Sequence, residues 1–530
     1  MTFSKIFILT MALFSFFLEG SGQKKKPNIV LVLTDDMGYS DLGCFGSEIE
    51  TPHLDAICAK GFKMNHFYNT GRCCPSRAAL LTGLYNHQAG FGHMDYHRGD
   101  FPAYQGRLSA QSITIAQVLQ SAGYHTILAG KWHLGKDNDS MACHRGFDTH
   151  TGIIGGASSY FNTRPYRKNG KVRMVDCCQK LDSQADSMGY LTDRFKEVSL
   201  AGIKKAKSKN QPFFLYLAHK APHWPLQALP EDIARFRSVY MQGWDSLRNR
   251  RIEKLKQLSL ISKNFLAPPR DSNIPAWKSL NDSTQKSEAE KMAVYAAMLY
   301  RMDLGIGEMV NELKKLGEWE NTLFIFLSDN GASDELMKSA SANFQSTPTG
   351  SYRTGGVNSF VCYGRPWAWL SNAPFQGYKT SSFEGGISTC FFVSGPGIVN
   401  KSSNETAHII DIAPSIYDCL GLTYPKGYTP LAGISLFDLW RGKRSKLPQR
   451  FFHFEHEGHE AVIQFPWKAR KTFGQPWELF NLENDRGENQ NLGDSFPQKL
   501  KEQKAEQENW AKRVGVVDWA EVNKTPMVWE

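Results

Sequence analysis

The chain has 530 residues, of which 41% are hydrophobic and 22% charged. That mixture excludes wholesale disorder, a collagen-like repeat and a multi-span membrane protein, and the length requires more than one folding unit or one large domain with an appendage. The formal net charge of +10 is a mild bias toward anionic partners, and with no Lys/Arg block longer than Lys24-Lys25-Lys26 it argues against a nucleic-acid partner.

The first segment has the form of an export signal. Lys5 supplies positive charge, residues 6–18 are mostly apolar, and Gly20-Ser21-Gly22 offers small residues for cleavage before Gln23. A mostly apolar stretch of thirteen residues falls short of the ~20 needed to span a bilayer, and no later stretch is long enough. The expectation is a signal peptide over 1–22 and an exported protein, periplasmic or secreted, with no stable membrane insertion. Ten cysteines occur, none in a C-x-x-C pair, so a thiolate metal site is not expected. Export permits disulfides, but the pairing stays open.

Asn28-Ile29-Val30-Leu31-Val32-Leu33-Thr34 is continuously apolar and β-branched, as a central strand buried on both faces would be, and it ends in Asp35-Asp36. Helical patterns follow over 76–83 and 114–122, with strands over 124–129 and 213–218. Residues 230–286 are charged and irregular and read as an inserted helical excursion. A long helix over 288–316 precedes a second buried strand, Thr322-Leu323-Phe324-Ile325-Phe326-Leu327-Ser328, ending in Asp329-Asn330. Another strand is predicted over 389–393. From 451 the texture changes to short antiparallel strands (451–454, 461–465, 477–481) and a closing helix over 496–514. Strands alternating with helices predict an α/β fold with a large, mostly parallel sheet flanked by helices over 23–445, followed by a smaller C-terminal α+β domain over 446–530.

Ligands of such sheets collect outside the carboxyl ends of the strands. There Asp35, Asp36, Asp329 and Asn330 would deliver three carboxylates and one amide oxygen, a hard all-oxygen set suited to calcium or magnesium rather than zinc or copper. Either pair alone reads equally well as turn residues; two pairs after two similar strands favour the metal site.

The chemistry becomes specific at Cys73-Cys74-Pro75-Ser76-Arg77, which continues Ala78-Ala79-Leu80-Leu81-Thr82-Gly83, and at Gly123-Tyr124-His125-Thr126-Ile127-Leu128-Ala129-Gly130-Lys131-Trp132-His133-Leu134-Gly135. The first matches C-x-P-S-R and the second G-Y-x-T-x-x-x-G-K-W-H-x-G, the two motifs of the sulfatase family. The chain resembles the bacterial-type arylsulfatases of this family from Lys26 to about Asp518, including Ala221-Pro222-His223-Trp224-Pro225 and the Tyr378-Lys379 to Gly386 segment; Arg72 departs from the small or aliphatic residue usual before the cysteine. The resemblance implies that Cys73 is oxidised to formylglycine by a maturating enzyme and that its hydrate, bound to a calcium ion, cleaves sulfate monoesters through a covalent sulfo-enzyme intermediate. It further implies that Asp35, Asp36, Asp329, Asn330 and residue 73 ligate the metal. Arg77 would hold the hydrate, Lys131 and Lys379 grip sulfate oxygens, His133 take the proton that drives sulfate elimination, His223 serve the leaving oxygen, and Asp329 assist the attacking hydroxyl. His219 ranks second as a ligand or substrate contact.

Two other readings remain at this level: a phosphate or phosphonate ester hydrolase on the same scaffold, and an inactive relative that binds sulfated glycans. The substrate is expected to be a sulfated carbohydrate or a small aryl or alkyl sulfate, with 230–286 and 332–375 as candidate contact segments. Asn138, Asn281, Asn400, Asn404 and Asn523 begin N-x-[ST] triplets.

Overall fold

The computed structural model describes residues 25–163, 174–181, 188–336 and 353–525. The expected signal segment and part of the 332–375 loop lie outside the described residues. The main sheet contains β1 (Asn28–Asp35), β2 (Phe62–Tyr68), β3 (His125–Lys131), β4 (Thr149–Ile153), β5 (Met174–Asp176), β6 (Gln179–Lys180), β7 (Phe213–Pro222), β8 (Thr322–Ser328), β9 (Phe391–Ser394) and β10 (Lys401–His408). Their order is β10-β2-β9-β8-β1-β7-β3-β4-β5-β6. The four central strands, β8-β1-β7-β3, are mutually parallel. Every residue in them is buried, which accounts for their unbroken apolar runs.

Side-chain alternation on β1 divides the core in two. Val30 and Val32 point to one face, covered by helices Leu191–Ser208 and Asp282–Lys315; Ile29, Leu31 and Leu33 point to the other, covered by Cys73–Thr82 and Ile412–Leu420. In-register pairing of Thr34 with Ser328 and of Leu33 with Ala218 brings the central carboxyl ends to one level. Gly130, paired with Ala218, has a φ of +128°, and a Cβ there would lie 1.9 Å from the Ala218 carbonyl oxygen. The glycine is therefore required for β3 to close on β7.

The fold is the predicted one: a large, mostly parallel sheet flanked by helices, with a separate antiparallel sheet C-terminal to it. That second sheet runs β11 (Phe452–His456), β12 (His459–Gln464), β13 (Trp467–Lys471) and β14 (Trp477–Asn481), and helix Pro497–Val514 packs on it. Several details depart from the sequence expectations. β9 is antiparallel to both of its neighbours. Strands β2, β4, β10 and β13 were not predicted; β2, β10 and β13 mix polar and half-exposed positions, and β4 is five residues long, so none carries the apolar run of a central strand. Cys178 forms a disulfide with Cys143, a pairing that the sequence left open. Asn281, first of an N-x-[ST] triplet, caps helix Asp282–Lys315 by accepting a hydrogen bond from the Thr284 N–H at 2.8 Å.

The 230–286 excursion is helical, with Pro230–Tyr240 and Gly243–Gln257, but two of its charges face inward rather than toward a substrate. Arg248 donates to the carbonyls of Trp369, Pro374 and Phe375. Arg251 binds Asp41 at 2.6 Å and Glu48 at 2.7 Å. Asp41 in turn accepts the Gly38 N–H at 2.9 Å and the Tyr295 hydroxyl at 2.7 Å, so the excursion braces the turn that carries Asp36.

Candidate active site

Four strand ends, one helix start and one loop converge at the carboxyl edge of the sheet. β1 delivers Asp35 and Asp36, β8 Asp329 and Asn330, β3 Lys131 and then His133, and β7 leads into His223. Helix Cys73–Thr82 begins three residues before the expected Ser76 start, with Arg72 as N-cap and Gly83 as left-handed C-cap. The Ser76 hydroxyl instead accepts the Thr70 N–H at 3.0 Å, so Cys73 itself occupies the first turn, beside the positive end of the helix dipole. Lys379 follows on a loop and donates its backbone N–H to Ala332 at 3.0 Å.

All ten predicted site residues are buried, and they meet one another. Lys131 Nζ donates to Asp35 Oδ2 at 2.6 Å. Arg77 donates to Asp329 Oδ2 at 2.7 Å and to the Lys131 carbonyl at 3.1 Å. Lys379 Nζ reaches Asp36 at 2.8 and 2.9 Å. Asn330 Nδ2 donates to Asp36 Oδ1 at 2.7 Å. The nitrogen of His133, Cys73 Sγ and Cys74 Sγ lie within 4.8 Å of one another. Asp36 and His133 hold φ values of +65° and +58°, a left-handed conformation costing about 1–3 kcal/mol for such residues and concentrated at functional sites.

The electrostatics are those of carboxylates crowded around one point. Burial would raise Asp35, but Lys131, His223 and Arg77 outweigh it and hold the carboxyl well below the usual range. Burial and the adjacent Asp35 push Asp329 well above it. A bond from Cys74 draws the Cys73 thiol well below its ordinary value, and Lys131 and His133 act in the same direction against burial. Asp35 Oδ1 and Asn330 Oδ1 are buried with no hydrogen-bond partner. Two orphaned oxygens beside two further carboxylates fit a hard cation, which would supply the missing positive partner.

His223 donates Nδ1–H to the Trp224 carbonyl at 2.8 Å, because a carbonyl can only accept. Its Nε2 lies 3.6 Å from Asp36 Oδ2. Burial pushes the ring down to about 4, so at neutral pH Nε2 carries a lone pair and donates only when the ring is protonated. His219 is outside this arrangement. It packs 6.2 Å from Phe195 beneath the sheet, with both ring nitrogens unpartnered and burial pushing it down to about 3. A strand residue four positions before His223 lies well below the sheet edge, which corrects its ranking as a ligand.

Three supporting residues were not predicted. Asp95 lies 3.5 Å from His133 Nε2 and 3.1 Å from Lys136 Nζ. Glu335 accepts Trp224 Nε1–H at 2.6 Å and Arg72 at 3.2 Å. Gly156 packs so closely that a Cβ would lie 2.8 Å from the His133 ring. Asp95 is a single acid in a loop, Glu335 follows Asp334 in a loop without a motif, and Gly156 is one glycine among 45, so no local pattern marks them.

A doubly covered, mostly parallel sheet with a crowded carboxylate cage, a thiol on a helix start and opposed lysines at its edge defines a hydrolase of anionic esters. The chain belongs to the Sulfatase family, whose profile matches residues 27–422. It is 37% identical over 452 residues to an arylsulfatase of Klebsiella aerogenes, covering 81% of this chain and 96% of that one. It is 25% identical over 528 residues to human arylsulfatase A, covering 89% and 84% of the two chains. Among solved structures it resembles that of Ps i-CgsB in complex with k-i-k-neocarrahexaose, at 26% identity and a TM-score of 0.69, over 94% of this chain and 100% of that one. The protein is a sulfatase, an enzyme of sulfate ester hydrolysis.

Proposed function

We propose that this enzyme hydrolyses sulfate monoesters with residue 73, matured from cysteine to formylglycine, as its nucleophile, beside a calcium ion held by Asp35, Asp36, Asp329 and Asn330. The observation that carries the reading is the pair of orphaned buried oxygens, Asp35 Oδ1 and Asn330 Oδ1, the first close enough to Cys73 to feel its charge and the second on the side chain that donates to Asp36. A bound divalent cation supplies charge stabilisation for a sulfate oxygen and for an ionised hydroxyl at residue 73. Lys131 and Lys379, tied to Asp35 and Asp36 at 2.6 and 2.9 Å, would bind sulfate oxygens in place of those carboxylates, which would hold the cation. Arg77 fixes Asp329 and the end of β3, which orders the floor under residue 73. His133 takes the proton from the second hydroxyl of residue 73, with Asp95 behind it to stabilise the ring as it becomes cationic. His223 serves the leaving oxygen; the substrate's negative charge favours the protonated ring that burial alone disfavours.

The substrate we propose is a sulfated carbohydrate or a small aryl sulfate. A polar recess of about 170 Å³ beside Asp95, lined by His97, Gln105, Arg107, Lys136 and Asp137, offers donors and acceptors suited to sugar hydroxyls. The same reading makes the protein an exported one, periplasmic or secreted; the Cys143–Cys178 disulfide supports an oxidising compartment.

The test couples peptide mass spectrometry across Cys73 with rates on matched aryl sulfate and aryl phosphate, followed by a panel of sulfated sugars. Protein coexpressed with a sulfatase-maturating enzyme and loaded with calcium is expected to carry the aldehyde and to prefer sulfate. An intact thiol in fully active protein, or preference for phosphate, overturns the proposal.

A further inference from the structure

We propose that His93, His456 and Glu457 form a second metal site, of the zinc class, which pins the C-terminal sheet to the main domain. His93 lies in the loop after helix Cys73–Thr82; His456 ends β11, and Glu457 occupies the tight turn into β12. The site therefore exists only where the two sheets meet.

The geometry is that of a three-ligand cradle. His93 Nε2 lies 2.9 Å and His456 Nε2 3.6 Å from the same oxygen, Glu457 Oε1. All three ligand atoms fall within 4.8 Å of one another. A tetrahedral zinc ion with bonds of about 2.0–2.1 Å needs ligand atoms about 3.3 Å apart. The second observation is an unmet bonding demand. His456 is 2% exposed, and neither of its ring nitrogens has a hydrogen-bond partner; His93 Nδ1 is likewise buried and unpartnered. At 3.6 Å the Glu457 oxygen is too far to satisfy His456 by a hydrogen bond, whereas an ion between them would bind both.

The rings are held for this role. His93 and His456 stand parallel, 5.3 Å apart with an interplanar angle of 9°, and Trp519 closes the outer side 4.9 Å from His93. Two imidazoles exclude calcium, which takes oxygen donors, and select a borderline transition ion. Arg98 and Arg72 flank the cluster. Glu457 is partly exposed, which leaves a fourth position for water.

The test is zinc retention by the calcium-loaded full chain. Chelator-washed protein reloaded with calcium, then given zinc and gel-filtered, is expected to keep one zinc per chain by elemental analysis. His456→Ala and Glu457→Gln should each weaken binding by about 100-fold, at least the loss that follows removal of a mere outer partner of a metal ligand. Cys73→Ala should keep the ion, which separates this site from the Cys73, Cys74 and His133 cluster. Cobalt substitution should give the visible absorption of a tetrahedral site in the wild type and none in His93→Gln. Far-ultraviolet circular dichroism and calcium content check that the variants are folded. No retained zinc, or equal retention by wild type and the folded His456→Ala and Glu457→Gln variants, overturns the proposal.

Discussion

Replacing Glu384 with Gln tests how the C-terminal sheet holds the loop that carries Lys379. Glu384 is fully buried directly after the loop that carries Lys379. Its carboxylate accepts from Arg486 Nε at 2.9 Å, the Tyr68 hydroxyl at 3.1 Å and the Ser388 hydroxyl at 2.9 Å, and pairs with Lys468 at 3.1 Å. Burial alone would raise the acid, but Lys468 and Arg486 outweigh it and bring it down to about 2 from an ordinary 4.5. At about 1.36 kcal/mol per pKa unit, this corresponds to roughly 3 kcal/mol of stability at neutral pH, similar to the ~3–5 kcal/mol lost when one partner of a buried pair is removed. A depressed folded-state value means the contribution is complete above about pH 4.5 and disappears as the pH falls toward about 2. Urea unfolding followed by tryptophan fluorescence should therefore show a lower midpoint for Glu384→Gln at pH 7, and the gap should close between about pH 5 and pH 2. Equal midpoints at pH 7, or a gap that widens on acidification, would refute this account of the network.

Four further outcomes follow from the same geometry. Gly156→Ala should force the His133 ring aside and reduce kcat by about 10²-fold with little change in melting temperature, as a displacement near 1 Å does; an unchanged kcat counts against His133 acting where it stands. Lys131→Ala should cost about 10²–10³-fold in kcat on an aryl sulfate, and a loss within tenfold would remove Lys131 from charge stabilisation. Asn330→Ala should raise the calcium concentration needed for half-maximal activity by about 10–100-fold, measured by titration after chelation. Cys178→Ser opens a crosslink between residues 35 apart in sequence, worth about 4 kcal/mol by chain entropy, and should lower the thermal midpoint under oxidising but not reducing conditions.

Much of the site was legible in the sequence because its chemistry sits at the ends of strands that announce themselves. A run buried on both faces must be apolar throughout, so Asp35-Asp36 and Asp329-Asn330 stand out where the runs stop. The Cys73 to Arg77 segment and the Lys131 to His133 stretch are local motifs, readable without neighbours. Tertiary structure alone decided the rest. Register between β1, β8 and β7 determines that the acids meet, and the same register buries His219 four residues short of the edge while admitting His223. Asp95, Glu335 and Gly156 gain their roles from residues far away in the chain, through contacts that no local spacing encodes. Strands β2 and β10 pair with each other across more than three hundred residues, and their partly exposed side chains leave no apolar run to mark them. The physical reason is common to all of these: burial and backbone conformation write themselves into local composition, whereas the pairing of distant groups depends on which elements the whole chain brings together.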